Sequence, residues 1–325
     1  MVRFFLRRAA FALLLVVVAS SAALVLTRLA PGDVAADLGP LARAEEARKI
    51  RAQFDLDRSI PAQWALWAGR ALRADFGRSY LYNRPVRGLV VRAAVNTAVL
   101  AASALILATL AGIGLGVVTG RAARGGGSDR WREGIRALSL LFVSVPPLVT
   151  SLLLVLIAAR TGWFPVGGMS STAAASMTWG GWFVDFGWHL LLPTLALALP
   201  VAAVFERLQS QALAEVTGQP YLTAAAARGV SESEVLWRHA WPASLRPICA
   251  VFGMAVGALL SGSFIVEHVT SWPGLGQLMY EALKARDIYL VAGCAATGSL
   301  FLAFGSLVGD LLLAFVDPRV AEAGL

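Results

Sequence analysis

Long apolar runs separated by short, arginine-rich polar stretches set the pattern of this chain. Runs that approach or exceed the ~20 helical residues needed to cross a hydrocarbon core fall near Phe11–Leu29, Ala93–Thr119, Ala137–Ala159, Leu190–Phe205, Ile248–Val266 and Ile288–Val316. The fourth is short and holds Pro193 and Pro200, which a membrane helix tolerates because neighbouring helices re-satisfy the freed carbonyls. The pattern predicts an all-α membrane protein with six transmembrane helices. Arg3, Arg7 and Arg8 precede the first run, which is too long and too evenly apolar for a cleaved leader and reads as a retained anchor.

The polar stretches carry their own periodicity. In the long 30–92 connection, Leu41, Glu45, Glu46, Ile50 and Phe54 predict one helix. Ile60, Trp64, Trp67 and Ala71 predict a second, with Ser59 as its cap and Pro61 near its start. The two tryptophans suit a membrane interface, and the segment reads as a small helical cap packed on the outer face in preference to a direct ligand site. Residues 160–189 form a second outer connection, aromatic through Trp163, Phe164, Trp179, Trp182, Phe183, Phe186 and Trp188, and read as interfacial packing. Within the spans, Gly112 and Gly116, Gly116 and Gly120, Gly253 and Gly257, and Gly305 and Gly309 stand four residues apart, a spacing that lets helix backbones approach closely. The expected division is 1–92 as anchor plus folded outer segment, 93–316 as a five-helix transmembrane domain with a loop at 207–247, and 317–325 as a short tail.

Composition agrees with the pattern: the 325-residue chain is 58% hydrophobic and 15% charged, in the membrane class. The net charge of +8 comes from arginine, the only lysines being Lys49 and Lys284. With no soluble basic domain to carry it, nucleic-acid binding is not expected. Arg121, Arg124, Arg130, Arg132 and Arg136 fill one connection, and Arg207, Arg228, Arg238 and Arg246 another; the opposite short connections hold only Arg160, or Lys284 and Arg286. The positive-inside rule then places both termini in the cytoplasm. Cys249 and Cys294 lie inside apolar runs and read as packing residues; no metal cluster or cofactor is expected.

Most catalytic chemistry is missing. Neither lysine follows a glycine, so no phosphate-cradling loop is present, and any ATPase must be another chain. Glu267 and Asp310 are the ionisable residues near span ends, read as helix-end groups in preference to ion-coupling sites. Ser261 and Ser263 flank Gly262 in the fifth run. A hydrolase would need a base beside one of them, and His189, His239 and His268 all lie at segment edges or in the loop. The chain is not expected to be an enzyme; an ion-coupled carrier or channel working alone stays open as the alternative.

The stretch from Tyr221 to Pro247 is the most structured polar segment. Ala224, Ala225, Ala226 and Ala227 run into Arg228 and Gly229, and Ser231 to Glu234 make a helix start in which Ser231 caps and Glu234 reaches back to the cap's own N–H. The following helix carries Val235, Leu236 and His239 on one side until Pro242 ends it. Thr223-Ala224-Ala225, Gly229 and Pro242 resemble the loop of ABC importer permeases, whose pattern is Glu-Ala-Ala, three residues, Gly, and a Pro thirteen positions after the Gly. Thr223 stands in for the usual Glu, and His239 and Trp241 replace the usual apolar pair, a degenerate form similar to the oligopeptide/dipeptide branch. The likeness extends through Leu29-Ala30-Pro31-Gly32-Asp33, Phe54-Asp55-Leu56-Asp57-Arg58 with Pro61 and Gln63, Asp75-Phe76-Gly77-Arg78-Ser79, Trp272-Pro273-Gly274-Leu275-Gly276-Gln277-Leu278, Arg286-Asp287 and Asp317-Pro318-Arg319.

The resemblance implies a type I ABC importer permease fold in a bacterial inner membrane. It implies as partners two ATPase subunits, a second homologous permease and an extracytoplasmic solute-binding protein, besides membrane lipid. It makes the loop a coupling helix, with Ala224, Ala225 and Gly229 allowing close approach, Arg228 and Glu232 adding polar contacts at the rim, and Thr223 and Pro242 completing the set of coupling-loop residues. Peptides are the substrate class it implies, although related permeases also handle metal chelates, glutathione and sugars. Ser261 and Ser263 are the candidates for the translocation path.

Overall fold

The computed structural model describes residues 2–29, 57–121 and 130–316. The helix expected over 41–54, the Leu29–Asp33 motif beyond its first residue, residues 54–56 of the next motif, Arg124 and the 317–325 tail with Asp317-Pro318-Arg319 lie outside these residues. The described residues are almost wholly helical, with one isolated antiparallel bridge between Arg78 and Pro85. We number the principal helices α1 Val2–Leu29, α2 Ile60–Ala71, α3 Val86–Gly120, α4 Arg130–Ser144, α5 Pro147–Thr161, α6 Trp179–Thr217, α7 Pro220–Ala227, α8 Arg246–Val269, α9 Leu275–Lys284 and α10 Ile288–Val316. Five of them, α1, α3, α6, α8 and α10, are long and apolar enough to cross a membrane, and the α4–α5 pair makes six if counted as one span.

Two predicted spans differ in detail. Ala137–Ala159 is not one straight helix but the end of α4 and most of α5, bent by 110°. The cause is Pro146-Pro147: a residue before proline is pushed out of the helical region, and Pro146 adopts φ −60°, ψ 149°. The short fourth span is the middle of a 39-residue helix that contains both prolines, α6. Its first turn is capped by Thr178, whose hydroxyl accepts from the Gly181 N–H at 3.3 Å. The aromatic connection at 160–189 therefore turns helical at Trp179, and the polar connection after Phe205 stays helical to Thr217.

Contacts divide the chain into two compact units. One comprises 1–98 and 273–303. Its core holds Leu24, Trp67, Val86, Val90, Leu290 and Val291, so Trp67 packs inside instead of facing an interface. Trp64 is half-buried and donates its indole N–H to the Ser21 hydroxyl at 2.6 Å, tying α2 to α1. The Asp75–Ser79 and Arg286-Asp287 motifs meet here. Asp287, 2% exposed, accepts from the Ser79 hydroxyl at 2.6 Å, the Leu81 N–H at 3.1 Å and the Leu290 N–H at 3.2 Å, so one carboxylate caps α10 and pins the chain before α3. Gly77 sits at φ +87° against the Tyr289 ring, a close approach in a conformation that favours glycine. The Pro273-Gly274 turn is held by Asn96, donating to the Pro273 carbonyl at 2.8 Å, and by Thr97, accepting from the Leu275 N–H at 2.7 Å. Burial and a hydrogen bond to the Glu281 carboxylate push the Tyr82 phenol above its ordinary range.

The other unit comprises 99–272 and 304–325, described to residue 316. Its spine is the contact between α3 and α6. A β-carbon on Gly112 would stand 2.6 Å from the Ala202 carbonyl; one on Gly116, 2.5 Å from Gln209 Cβ and 2.7 Å from the Glu206 carbonyl; one on Gly120, 2.8 Å from the Ser210 carbonyl. The four-residue glycine spacing thus works as read from the sequence. On the far side, Gly309 lies against the Gly253 backbone, where its β-carbon would meet Gly253 N at 2.6 Å, and Gly305 faces Val256. Phe205 stacks on Phe252 at 6.3 Å between ring centres, and α5 packs against α6 and α8.

Gly116→Ala should therefore overpack the α3–α6 seam and cost ~1–3 kcal/mol. Gly114→Ala, two residues away with nothing within 4 Å of its would-be β-carbon, should change stability by no more than about 0.5 kcal/mol. Thermal unfolding of both variants in the same lipid nanodiscs checks this; equal melting temperatures would deny that the seam is close-packed.

Candidate functional site

The loop that follows α6 folds on itself. α7 begins with Pro220 in its first turn and ends at Arg228, whose N–H bonds the Ala224 and Ala225 carbonyls at 3.3 and 3.1 Å. Gly229 then takes φ +87°, the left-handed conformation that reverses a chain after a helix. Ser231 accepts from the Glu234 N–H at 3.3 Å and caps the next helix, Glu232–Glu234. The second half of the expected capping box does not form. Glu234 turns outward to Arg238, one turn on, at 2.9 Å, because an exposed i,i+4 ion pair competes for the same carboxylate.

The helix also does not stop at Pro242. It widens to a π-helix over Val235–Ala240 and continues as an α turn, Trp241–Ser244, with Pro242 in its first turn. Pro242 has no N–H to donate back into the preceding turn, so the ladder is one bond short there without the helix ending. Arg246 follows after one residue and starts α8. The segment is helix, bend, helix, running into the next span.

Its inner face is a small core of Leu213, Leu222, Ala225, Val235, Leu236 and Ala240, joined by Val117 of α3. Val235 and Leu236 are buried as expected, whereas His239 is exposed. Ala225 belongs to this core at 8% exposure. Thr223, Ala224, Arg228, Gly229, Glu232 and Pro242 are exposed, so the site residues other than Ala225 lie on the surface of the loop. Nothing stands within 4 Å of a β-carbon built on Gly229.

Two further contacts fasten the loop to the helices before it. Gln209, fully buried in α6, donates to the Ser244 hydroxyl at 2.7 Å, and that hydroxyl donates to the Trp241 carbonyl at 2.8 Å. The Arg121 guanidinium lies 5.8 Å from the centre of the Trp237 ring, a cation–π contact from the end of α3. One turn before Gln209, Glu206 is 1% exposed; its Oε1 accepts from the Thr119 hydroxyl at 2.6 Å, while Arg136 donates to the Thr119 carbonyl at 2.8 Å. Sequence reading closed the fourth span at Phe205 and counted no ionisable residue within it, so Glu206 and Gln209 were missed. The available signal was Gly116, whose missing side chain makes room for both.

Ser261 and Ser263 do not share a face: Ser261 is exposed, and Ser263, 2% exposed, donates to the Leu260 carbonyl of its own helix at 2.9 Å. Glu267 is fully buried at the end of α8, and Asp310 is half-buried in α10. Among the described residues no group of three or more His, Cys, Asp or Glu is placed to hold a metal ion.

Gly229→Ala tests the bend. Without steric neighbours, the substitution carries only the ~1–2 kcal/mol cost of a left-handed L-residue. Amide protection across 231–244 should fall about five- to thirtyfold, with Gly229→Asn losing less. Hydrogen exchange measured by mass spectrometry decides it, and unchanged protection would mean that the bend does not hold the loop together.

Comparison with known proteins extends the geometry. Residues 112–322 match the family described as binding-protein-dependent transport system inner membrane component, and residues 1–101 match that family's N-terminal membrane component. A protein of Brucella abortus named as a peptide transport system permease is 33% identical over 324 residues, covering 98% of this chain and 99% of its own. A peptide ABC transporter permease of Sinorhizobium fredii is 31% identical over 304 residues, covering 91% and 92%. The oligopeptide transport system permease AppB of Bacillus subtilis is 26% identical over 323 residues, covering 98% and 99%.

Proposed function

The chain belongs to the family of binding-protein-dependent transport system inner membrane components, and from that membership we propose that it is the membrane half of an ATP-driven importer of peptides. It is a multi-pass inner-membrane permease, not a catalytic enzyme. The peptide assignment rests on relatives named as peptide and oligopeptide permeases. ATP is hydrolysed on separate subunits, two in number. A second permease completes the membrane pathway, and an extracytoplasmic binding protein delivers the solute. Both termini and the loop after α6 face the cytoplasm, in keeping with the arginines at 121, 130, 132, 136, 207, 228, 238 and 246.

In this reading the loop from Pro220 to Ser244 is the coupling element, and the observation that carries it is the loop's two-sided construction. Its inner face is a closed apolar core, so the segment moves as a body. Its outer face offers small side chains at Thr223, Ala224 and Gly229, where a partner's backbone can approach, and charged groups at Arg228 and Glu232 around them. A pull on the outer face passes to α6 through Gln209–Ser244 and to α3 through Trp237–Arg121. Closure of the ATPases on ATP then tips the spans between outward- and inward-open states. Thr223, in place of an acid, leaves no carboxylate at that position for an ion pair with the partner.

Ala224→Trp separates docking from folding, because Ala224 is exposed whereas Ala225 is not. We expect the variant to keep the wild-type melting temperature, to lose co-purification of the ATPases, and to lose ATP-dependent peptide uptake in proteoliposomes by at least about tenfold, since a bulky ring at a close-packed centre removes the hot-spot contact. Unimpaired association and uptake would reject the coupling role.

A further inference from the structure

We propose that the cavity beside Glu206 is a binding site for a small zwitterionic group, a primary ammonium with an anion next to it. The cavity holds about 320 Å³, at the lower end of the range for small-molecule sites. α4 contributes Arg136 and Leu140, and α6 contributes Glu206, Arg207, Ser210 and Gln211. Glu206 is 1% exposed, and its Oε1 is used by Thr119, but Oε2 has no hydrogen-bond partner among the described residues. A buried carboxylate oxygen without a donor is costly, and it specifies a donor as the missing component.

The charges specify the rest. Two guanidiniums and one carboxylate line the cavity, so a bare cation meets a surplus of positive charge. A bare anion satisfies Arg136 and Arg207 but brings no N–H to Glu206. A group that carries both, with ammonium and anion a few bonds apart, answers Glu206 with one end and the arginines with the other. Two sources offer that chemistry: the ends of a free amino acid or short peptide, and the headgroup of phosphatidylethanolamine, for whose adjoining chains Leu140 supplies an apolar wall. Phosphatidylcholine does not, because its quaternary ammonium has no N–H.

The inference goes beyond the transport reading, since the ligand class follows from the cavity's own groups. It also places the ligand one turn from Gln209, which anchors the loop, so occupancy stiffens the α4–α6 contact where the loop is attached.

The test uses the full chain in phosphatidylcholine nanodiscs. Equilibrium dialysis with Gly-Gly, N-acetyl-Gly-Gly and Gly-Gly amide examines the soluble source. Nanodiscs of mixed phosphatidylethanolamine and phosphatidylcholine, followed by native mass spectrometry of retained lipid, examine the other. We expect retention of Gly-Gly, of phosphatidylethanolamine or of both, no retention of the acetylated peptide, and about a tenfold or greater loss in Glu206→Gln. Arg207→Gln, at a half-buried position, should weaken Gly-Gly while leaving the already weaker amide unchanged; it carries the test if Glu206→Gln unfolds. Retention of neither probe, equal retention by Glu206→Gln and wild type, or equal binding of the acetylated peptide would overturn the proposal. Uptake by the assembled transporter is measured in parallel: ATP-driven uptake without binding rejects this site alone, and binding without ATP-driven uptake rejects the transport reading alone.

Discussion

Close contact between α3 and α6 is the constraint on which the unit carrying the loop depends. In lipid there is no hydrophobic drive between helices, so association has to come from van der Waals fit and hydrogen bonds. The stripe Gly112, Gly116 and Gly120 supplies the fit by bringing α3 against the backbone of α6. That closeness lets the Thr119 hydroxyl reach Glu206 at 2.6 Å, and it shields Gln209, which then meets Ser244. A polar network that would be prohibitive in an open membrane helix is buried here because the opposing helix has no side chains in the way.

This arrangement gives the loop a mechanical identity. A connector tied to the spans only through its ends would absorb a push by bending. Here Val117 of α3 and Leu213 of α6 are part of the loop's core. Buried cores respond to force by shifting as units, because their packing is too dense to deform gradually. The π-helix at Val235–Ala240 supplies Val235, Leu236 and Ala240 to the loop's core, and such widened turns are common where a helix serves a function. Displacement of the outer face must therefore reach α3 and α6 together.

Much of this was legible in the residues, and the gaps have identifiable causes. Glycines four apart announce close packing by themselves, and Ser231 with Gly229 announces a cap and a bend, because those features depend on neighbours in sequence. Glu234 shows the limit: two local partners were available, the cap's N–H and Arg238, and the pattern alone did not rank them. The bend between α4 and α5 was written in Pro146-Pro147 but masked by the apolar run around it. Glu206 was hidden for a different reason. A charged residue beside Arg207 reads as the start of a polar connection, and only the glycine on the facing helix makes it an interior group.

The distribution of polar chemistry suits a membrane transport component. A chain that made or broke bonds would concentrate donors and acceptors around a reacting atom. This one places them where helices are fastened: Asp287 joins the approach to α3 with the start of α10, Thr119 and Glu206 join α3 with α6, and Gln209 joins α6 with the loop. Each is a buried bond between elements distant in sequence, directional enough to fix a register that apolar contacts alone would let slide. The loop's exposed face, by contrast, carries small and charged residues together with the exposed rings of Tyr221 and Trp237. Specific polar bonds inside hold the register of the helices, and the loop's polar outer surface takes no part in that fastening.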